Sequence, residues 1–234
     1  MAAIDGQNIT TYPRGSEWRR WDLHVHTPAS ALENRFKDWD SYVETLEKAG
    51  EGVSVLGVTD YCTIEGYKQL VLYRDAGRLS SFDLLLPNIE FRTQPELPDG
   101  RGINIHLIVS PDDANHIAEV ESALGQLTFT YNDNPYSCSR SDLVKLGKAH
   151  DPSIKDEQVA FRRGVNNFKP SFDQFREWYK NHGWLRDNSV VVLSNSKDGA
   201  SGLSRDCGEL LILRQLPLVR SEFWRWALWT RERD

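Results

Sequence analysis

Four short stretches of the 234-residue chain carry imidazole or carboxylate groups where they could bind metal ions. The first is the segment DLHVHT at residues 22–27, in which two histidines are separated by one residue. Side chains on a β-strand alternate between its two faces, so His24 and His26 project the same way and can reach one ion or two adjacent ions. The alternative is a pair of histidines with ordinary hydrogen-bonding roles.

The other three stretches each place one ionisable group in or after an apolar run, at Asp60, Glu90 and His106. A carboxylate beside apolar residues is costly unless it is paired or bound to a metal. Two alternatives stay open: Asp60 could cap the following helix, and His106 could be a hydrogen-bonded core histidine. Taken in order, His-x-His, Asp, Glu and His predict a mixed ligand set that suits zinc, manganese or iron.

The elements that must position these groups alternate along the chain. Short apolar, β-branched runs predict strands at Trp21–His26, Val53–Thr59, Leu84–Phe91, Ile103–Ser110 and Val190–Ser194. Amphipathic stretches predict helices at Asp40–Ala49, Thr63–Tyr73, Asp112–Leu124, Ser139–Leu146 and Phe172–Tyr179, with Asp40 and Thr63 as capping residues. We expect a loop or an insertion at Thr128–Ser141 and at most a charged helix within Asp151–Lys169. The alternation indicates an α/β fold with a parallel sheet.

Composition narrows the class of protein. The formal charge of −6 and the pI near 5.6 give no overall signal for a nucleic-acid or membrane surface. No apolar run approaches the roughly 20 residues of a membrane span, so we expect no membrane partner. Three widely spaced cysteines indicate free thiols rather than a disulfide framework, which together with the absence of a secretory signal predicts a cytoplasmic protein.

The motifs resemble those of the PHP (polymerase and histidinol phosphatase) family of metal-dependent phosphoesterases. Residues 22–27 are similar to its first motif, residues 58–60 to the second, and residues 88–90 and 104–107 to the next two. The resemblance covers residues 14 to 202 approximately. It implies a distorted (β/α)7 TIM-like barrel with metal ions at its C-terminal rim. It also implies metal ligands at His24, His26, Asp60, Glu90 and His106, with Asp60 ligating an ion or orienting water as a catalytic residue.

A closer resemblance is to the N-terminal PHP region of TrlF-type AAA-like ATPases, through residues 14–30, 59–61 and 194–202. It implies an ATPase partner, although the chain has no phosphate-binding loop of its own. The sequence departs from the general PHP pattern in two places. Tyr61 stands where the pattern has histidine, and the final Asp-x-His motif is absent. Asp198 could replace that carboxylate and Lys197 could bind a substrate phosphate, or both could belong to a polar loop without a role.

These observations predict a phosphatase or nuclease that hydrolyses phosphate esters, with nucleic acid or nucleotides as plausible substrates. It would use one or two divalent ions, and three at most. The alternatives are a weak or inactive PHP module that docks onto an ATPase or another partner, and a hydrolase of bonds other than phosphate esters. We expect residues 1–205 to form the PHP-like domain and residues 206–234 a C-terminal extension of unclear role.

Overall fold

The computed structural model describes residues 19–36, 38–94 and 103–193. Its strands are β1 (Arg20–His26), β2 (Val53–Tyr61), β3 (Leu84–Thr93), β4 (Ile103–Val109), β5 (Thr128–Tyr131), β6 (Asn134–Ser137) and β7 (Ser189–Leu193). Its helices are α1 (Trp39–Ala49), α2 (Glu65–Asp75), α3 (His116–Leu124), α4 (Arg140–His150), α5 (Glu157–Asn167), α6 (Phe172–Asn181) and α7 (Gly183–Asn188). All five predicted strands and all five predicted helices are present, with small differences in their bounds.

The main sheet has five strands in the order β1-β2-β3-β4-β7. The first three are parallel, whereas β4 runs antiparallel to both β3 and β7. The mixed α/β class is confirmed, and the prediction of an all-parallel sheet is wrong at β4. Only nine residues separate Thr93 from Ile103, whereas a parallel pair needs a crossover of a dozen or more residues. In the part of the chain described here the sheet stays open, so the predicted (β/α)7 barrel is not confirmed.

The two faces of this sheet differ in chemistry. Leu56, Ile89 and Leu107 lie on one face and belong to the large hydrophobic core, to which α1, α2, α3 and α6 contribute. The opposite face carries a small apolar cluster of Val55, Leu86 and Ile108. Because the register of β2 against β3 is regular, alternation places Asn88 and Glu90 on this second face.

The segment between α3 and α6 is more ordered than the sequence indicated. The prediction of a loop at Thr128–Ser141 is wrong, because β5 and β6 form an antiparallel hairpin there, while the alternative of an insertion stays a prediction. Asn132 and Asp133 both have positive φ (47° and 61°), as a tight hairpin turn requires. The charged stretch after it contains α5, which begins where the Asp156 side chain accepts a hydrogen bond from the Val159 amide.

Two capping predictions are also wrong. Asp38, and not Asp40, caps α1 by accepting the Ser41 amide at 2.8 Å. Thr63 accepts a hydrogen bond from the Glu65 amide at 3.2 Å, but it lies one residue before the N-cap position of α2. That position is occupied by Ile64, whose side chain accepts no hydrogen bond.

Several predictions fall outside the described residues. Lys197, Asp198 and the whole of residues 206–234 lie there, so the division at residue 205 stays a prediction. No helix among the described residues has the length and apolar character needed to cross a membrane.

Candidate metal centre

An irregularity in β1 positions the two histidines. The register of β1 against β2 shifts between Asp22 and Val25, as at a β-bulge, and such bulges re-aim side chains. A Cβ atom at Gly57 would collide with the backbone of Leu23, so only glycine lets the bulged strand lie this close to β2. The result is that the Nε2 atoms of His24 and His26 lie 3.1 Å apart.

Glu90 completes a three-residue cluster. Its Oε2 atom lies 3.3 Å from Nε2 of His24 and 3.4 Å from Nε2 of His26. The side chain of Glu90 is fully buried, and neither carboxylate oxygen has a hydrogen-bond partner among the described residues. Burying an ionised carboxylate without hydrogen bonds carries a large free-energy cost, unless a cation balances the charge.

The three ligand atoms fit a divalent ion. The tetrahedral zinc sites of proteins have metal–ligand bonds of about 2.0–2.1 Å, which separates neighbouring ligand atoms by about 3.3–3.4 Å. The observed separations are 3.1, 3.3 and 3.4 Å. Two imidazole nitrogens and a carboxylate oxygen are also a donor set that zinc, manganese and iron accept. His24, His26 and Glu90 can therefore hold one such ion.

The histidines of the cluster partly balance the charge of Glu90. Burial alone would raise the pKa of Glu90, but the facing imidazoles of His24, His106 and His26 together hold it below its ordinary value. Contact with the Glu90 carboxylate raises the pKa of His24, whereas burial lowers the pKa of His26. In the tautomer in which Nδ1 of His26 donates to Ser30 Oγ at 3.3 Å, Nε2 carries the lone pair, and this nitrogen faces Glu90.

His106 faces the cluster from β4. It lies directly opposite Glu90 in the antiparallel pair, and its ring centroid is 4.7 Å from that of His24. The amide of Asn88 donates to the Leu23 carbonyl at 2.7 Å and to Thr59 Oγ1 at 3.0 Å, which leaves its oxygen to accept from Nδ1 of His106 at 3.2 Å. Burial lowers the pKa of His106 to about 4, so the ring is neutral near pH 7.

This tautomer leaves the Nε2 lone pair of His106 free to bind a metal. His106 is thus a fourth candidate ligand. It lies inside β4, as its place within an apolar run predicts, and the antiparallel pairing of β4 with β3 brings it opposite Glu90.

Asp60 lies apart from the cluster. It pairs with Ile89 in the sheet while Tyr61 pairs with Glu90, so alternation turns Asp60 toward the helix-covered face. There it accepts the Thr27 hydroxyl at 2.8 Å and the Gly66 amide at 3.0 Å. Burial raises the pKa of Asp60 to about 7. These contacts match the helix-start alternative, and the metal and catalytic roles of Asp60 stay predictions.

Several residues around the centre have no role in the predictions made from the sequence. Asn88 and Ser30 orient histidines, and Arg92 lies over the Tyr61 ring with its CZ atom 5.0 Å from the ring centroid. Asn88 and Arg92 share the face of Glu90 on β3, at positions two before it and two after it. The period-two pattern around Glu90 was therefore the signal that could have identified them.

Comparisons with known proteins give a structural likeness at low sequence identity. The chain is similar to the solved structure of a candidate metal-dependent phosphoesterase from Bifidobacterium adolescentis, with 15% sequence identity and a TM-score of 0.39, over 83% of this chain and 74% of that chain. A likeness at this TM-score defines neither the fold nor the reaction. No protein-family model matches the chain, and no curated protein does.

Proposed function

We propose that this protein is a metal-dependent hydrolase of phosphate esters whose ion is held by His24, His26 and Glu90, with His106 as a further ligand. The observation that carries the proposal is the Glu90 carboxylate, which is fully buried, lacks hydrogen bonds among the described residues and faces two imidazole nitrogens. A carboxylate in these surroundings needs a cation, and the surrounding donors are those of a metal site.

The choice of phosphate esters rests on the similarity of residues 22–27, 58–60, 88–90 and 104–107 to the PHP motifs. A divalent ion bound in such a site activates water and offsets charge on a phosphoryl oxygen. The residues of the chain do the positioning. Asn88 fixes the tautomer of His106, Ser30 orients His26, and the buried Glu90 supplies the negative charge that attracts the ion.

Substrate entry is compatible with this arrangement. Glu90 is fully buried, but the side chain of His24 is 52% exposed, so the cluster reaches the surface on the His24 side. Phosphatase or nuclease action on nucleotides or nucleic acid, and the use of zinc or manganese in particular, belong to the proposal. So does a second ion, for which the sequence offers Asp198 as a ligand, with Lys197 beside it to bind a substrate phosphate.

The second candidate function is a docking module with little or no activity. The position of Asp60 favours it, since both oxygens of that carboxylate accept hydrogen bonds away from the cluster, and Tyr61 replaces a histidine of the PHP pattern. In that case the centre would hold a structural ion, and the partner would be an ATPase or another protein.

Metal analysis combined with hydrolysis assays separates the two functions. We expect the purified protein to contain about one zinc, manganese or iron ion per chain by mass spectrometry. We expect it to hydrolyse p-nitrophenyl phosphate or its bis ester after loading with Mn²⁺ or Zn²⁺. The variants His24→Ala and His26→Ala should lose both properties, whereas His182→Gln, which changes a histidine outside the centre, should keep both.

Each result excludes one interpretation. A folded wild-type protein that binds none of these ions contradicts the proposed site. A protein that binds the ion but hydrolyses neither ester supports the docking module.

A further inference from the structure

A guanidinium group lies beside the metal centre and is not used by the proposed ligands. Arg92 follows Glu90 by two positions on β3, so both side chains project from the same face of the sheet. The CZ atom of Arg92 lies 5.0 Å from the centroid of the Tyr61 ring, and that ring stacks on His26 at 5.2 Å with an interplanar angle of 13°. Arg92, Tyr61 and the ligand His26 therefore form one contiguous patch.

The contacts of Arg92 are with uncharged groups. Its Nη1 atom donates to Oδ1 of Asn166 at 3.3 Å, and its Nη2 atom donates to the Tyr61 hydroxyl at 3.5 Å. No carboxylate of the described residues forms an ion pair with it, in contrast to Arg78, which Glu47 binds at 2.6 Å. A guanidinium has five N–H donors in a planar fork, so these two long contacts leave Arg92 able to bind an anion with two parallel hydrogen bonds.

Tyr61 connects this guanidinium to the centre. The Tyr61 hydroxyl accepts from Nη2 of Arg92, and Tyr61 lies directly opposite Glu90 in the pairing of β2 with β3. Burial raises the pKa of Tyr61. The hydroxyl stays protonated at neutral pH and can donate a hydrogen bond to an anionic oxygen.

We propose that Arg92, with the Tyr61 hydroxyl, forms a subsite for the phosphoryl oxygens of the substrate beside the metal centre. This inference rests on the proposed function and makes it more specific, because it assigns the recognition of phosphate to residues of β2 and β3. The competing explanation is a purely structural arginine that ties β3 to α5 through Asn166.

The test measures the affinity for inorganic phosphate by titration calorimetry, with metal-free protein and with Mn²⁺-loaded protein. We expect Arg92→Gln to weaken phosphate binding at least about tenfold, since a charge-assisted bidentate contact is lost. Arg92→Lys keeps the charge without the fork and should give an intermediate loss. Arg140→Gln is the matched control, because Arg140 also lies over an aromatic ring, that of Phe161 at 4.5 Å, but belongs to α4. It should bind phosphate like wild type.

Bound metal is measured in all four proteins. Wild-type phosphate affinity in Arg92→Gln, or no phosphate binding by wild type, overturns the subsite, even if metal binding and hydrolysis are intact. A protein that binds no metal, but loses phosphate affinity in Arg92→Gln, overturns the proposed function and supports the anion subsite. If Arg92→Gln does not fold, an undiminished affinity in Arg92→Lys contradicts the role of the fork, and an intermediate loss supports it.

Discussion

Two buried carboxylates at neighbouring positions of the sheet have opposite surroundings. Asp60 is 1% exposed and accepts hydrogen bonds on both oxygens, from Thr27 and from the Gly66 amide at the start of α2. Glu90 is 0% exposed and, among the described residues, accepts none, although two imidazole nitrogens lie within 3.4 Å of Oε2. Burial alone therefore does not identify a functional carboxylate. A buried carboxylate without hydrogen-bond donors around it is the better indicator of a functional site.

The local sequence enforces the Asp60 arrangement. A Cβ atom at Gly66 would collide with the carboxylate of Asp60 and with the hydroxyl of Thr27. Glycine at this position therefore lets the first turn of α2 approach the carboxylate closely enough to donate its amide. Glu90 instead faces the Nε2 atoms of His24 and His26 at 3.3 and 3.4 Å, so the three groups together can serve as ligands to one ion.

The largest effect should come from Glu90→Gln, which keeps the shape of the side chain and removes its charge. We expect the affinity for zinc or manganese to fall by about 100-fold or more, because an anionic ligand is lost from the centre. The metal-free variant should melt at a lower temperature than metal-free wild type near pH 7, since the imidazoles that lower the pKa of Glu90 favour its charged form and that contribution to stability is lost. Metal titration and thermal unfolding in the presence of a chelator measure these two changes.

A surface carboxylate supplies the control for that experiment. Glu121 pairs with Lys68 at 2.7 Å and is 46% exposed, so Glu121→Gln should alter neither quantity. Undiminished metal affinity in Glu90→Gln would remove the distinction between the two buried carboxylates.

The second effect should come from Asp60→Ala, which should lower the stability of the fold and leave metal binding unchanged. The change leaves the Thr27 hydroxyl and the Gly66 amide without their acceptor, so we expect unfolding to become easier by about 3 kcal/mol. Metal content should match that of wild type, because Asp60 faces the other side of the sheet. Denaturant unfolding and metal analysis check both statements.

Asp60→Asn refines that result. The amide can still accept the Gly66 N–H, so it should recover most of the stability that alanine loses. If both variants lose the metal while remaining folded, Asp60 is a ligand after all, as the sequence motif predicts.

A smaller effect is expected for Asn88→Ala, which tests how the orientation of His106 supports the centre. Loss of the Asn88 oxygen removes the acceptor for Nδ1 of His106, and such supporting contacts contribute about 10- to 100-fold to metal affinity. We expect a loss near the lower limit, since His24, His26 and Glu90 remain. Asn167→Ala, at a half-buried amide of α5 that donates to the Arg163 carbonyl, is the matched variant in a metal titration. Equal affinities for the two variants would exclude a supporting role for Asn88.

The sequence could predict the members of the centre better than their arrangement. The period-two spacing of His24 and His26, and the lone ionisable groups Glu90 and His106 in apolar runs, are local features that survive folding. The direction of β4 and the bulge in β1 depend on pairing between distant segments, which the local pattern does not encode. Asp60 is one example. The sequence predicts that the strand ends at Thr59, but the pairing of β2 with β3 continues to Tyr61, so alternation along β2 turns Asp60 away from the centre.

The hairpin of β5 and β6 was hidden for another reason. Its strands have only four residues each, which is too short to establish a period, although Phe129 and Tyr131 alternate with threonines in β5 and pack against the core. The turn residues Asn132 and Asp133 were a usable signal, since both types tolerate positive φ. α5 was similarly obscured by its charges, although Asp156 ahead of it is a good capping residue.

The smallest effect concerns a third carboxylate, which is partly exposed and paired with an arginine. Glu47 binds Arg78 at 2.6 Å and accepts the Leu79 amide at 2.8 Å, and these contacts lower its pKa to about 2. A carboxylate with a lowered pKa in the folded state stabilises the protein above its ordinary pKa of 4.5, and that stabilisation is lost as the pH falls from there toward 2.

Glu47→Gln should therefore lower the melting temperature by about 2 °C near neutral pH, because partly exposed ion pairs are screened by solvent. The difference between wild type and variant should shrink as the pH decreases from about 5 to 3. Melting curves at a series of pH values measure it, with Glu44→Gln as the comparison at a more exposed pair, where Glu44 is 61% and Lys48 73% exposed. A constant difference across this pH range would show that Glu47 acts through shape rather than charge. Glu47 would then resemble Asp60, whose contribution to the fold comes from its hydrogen bonds.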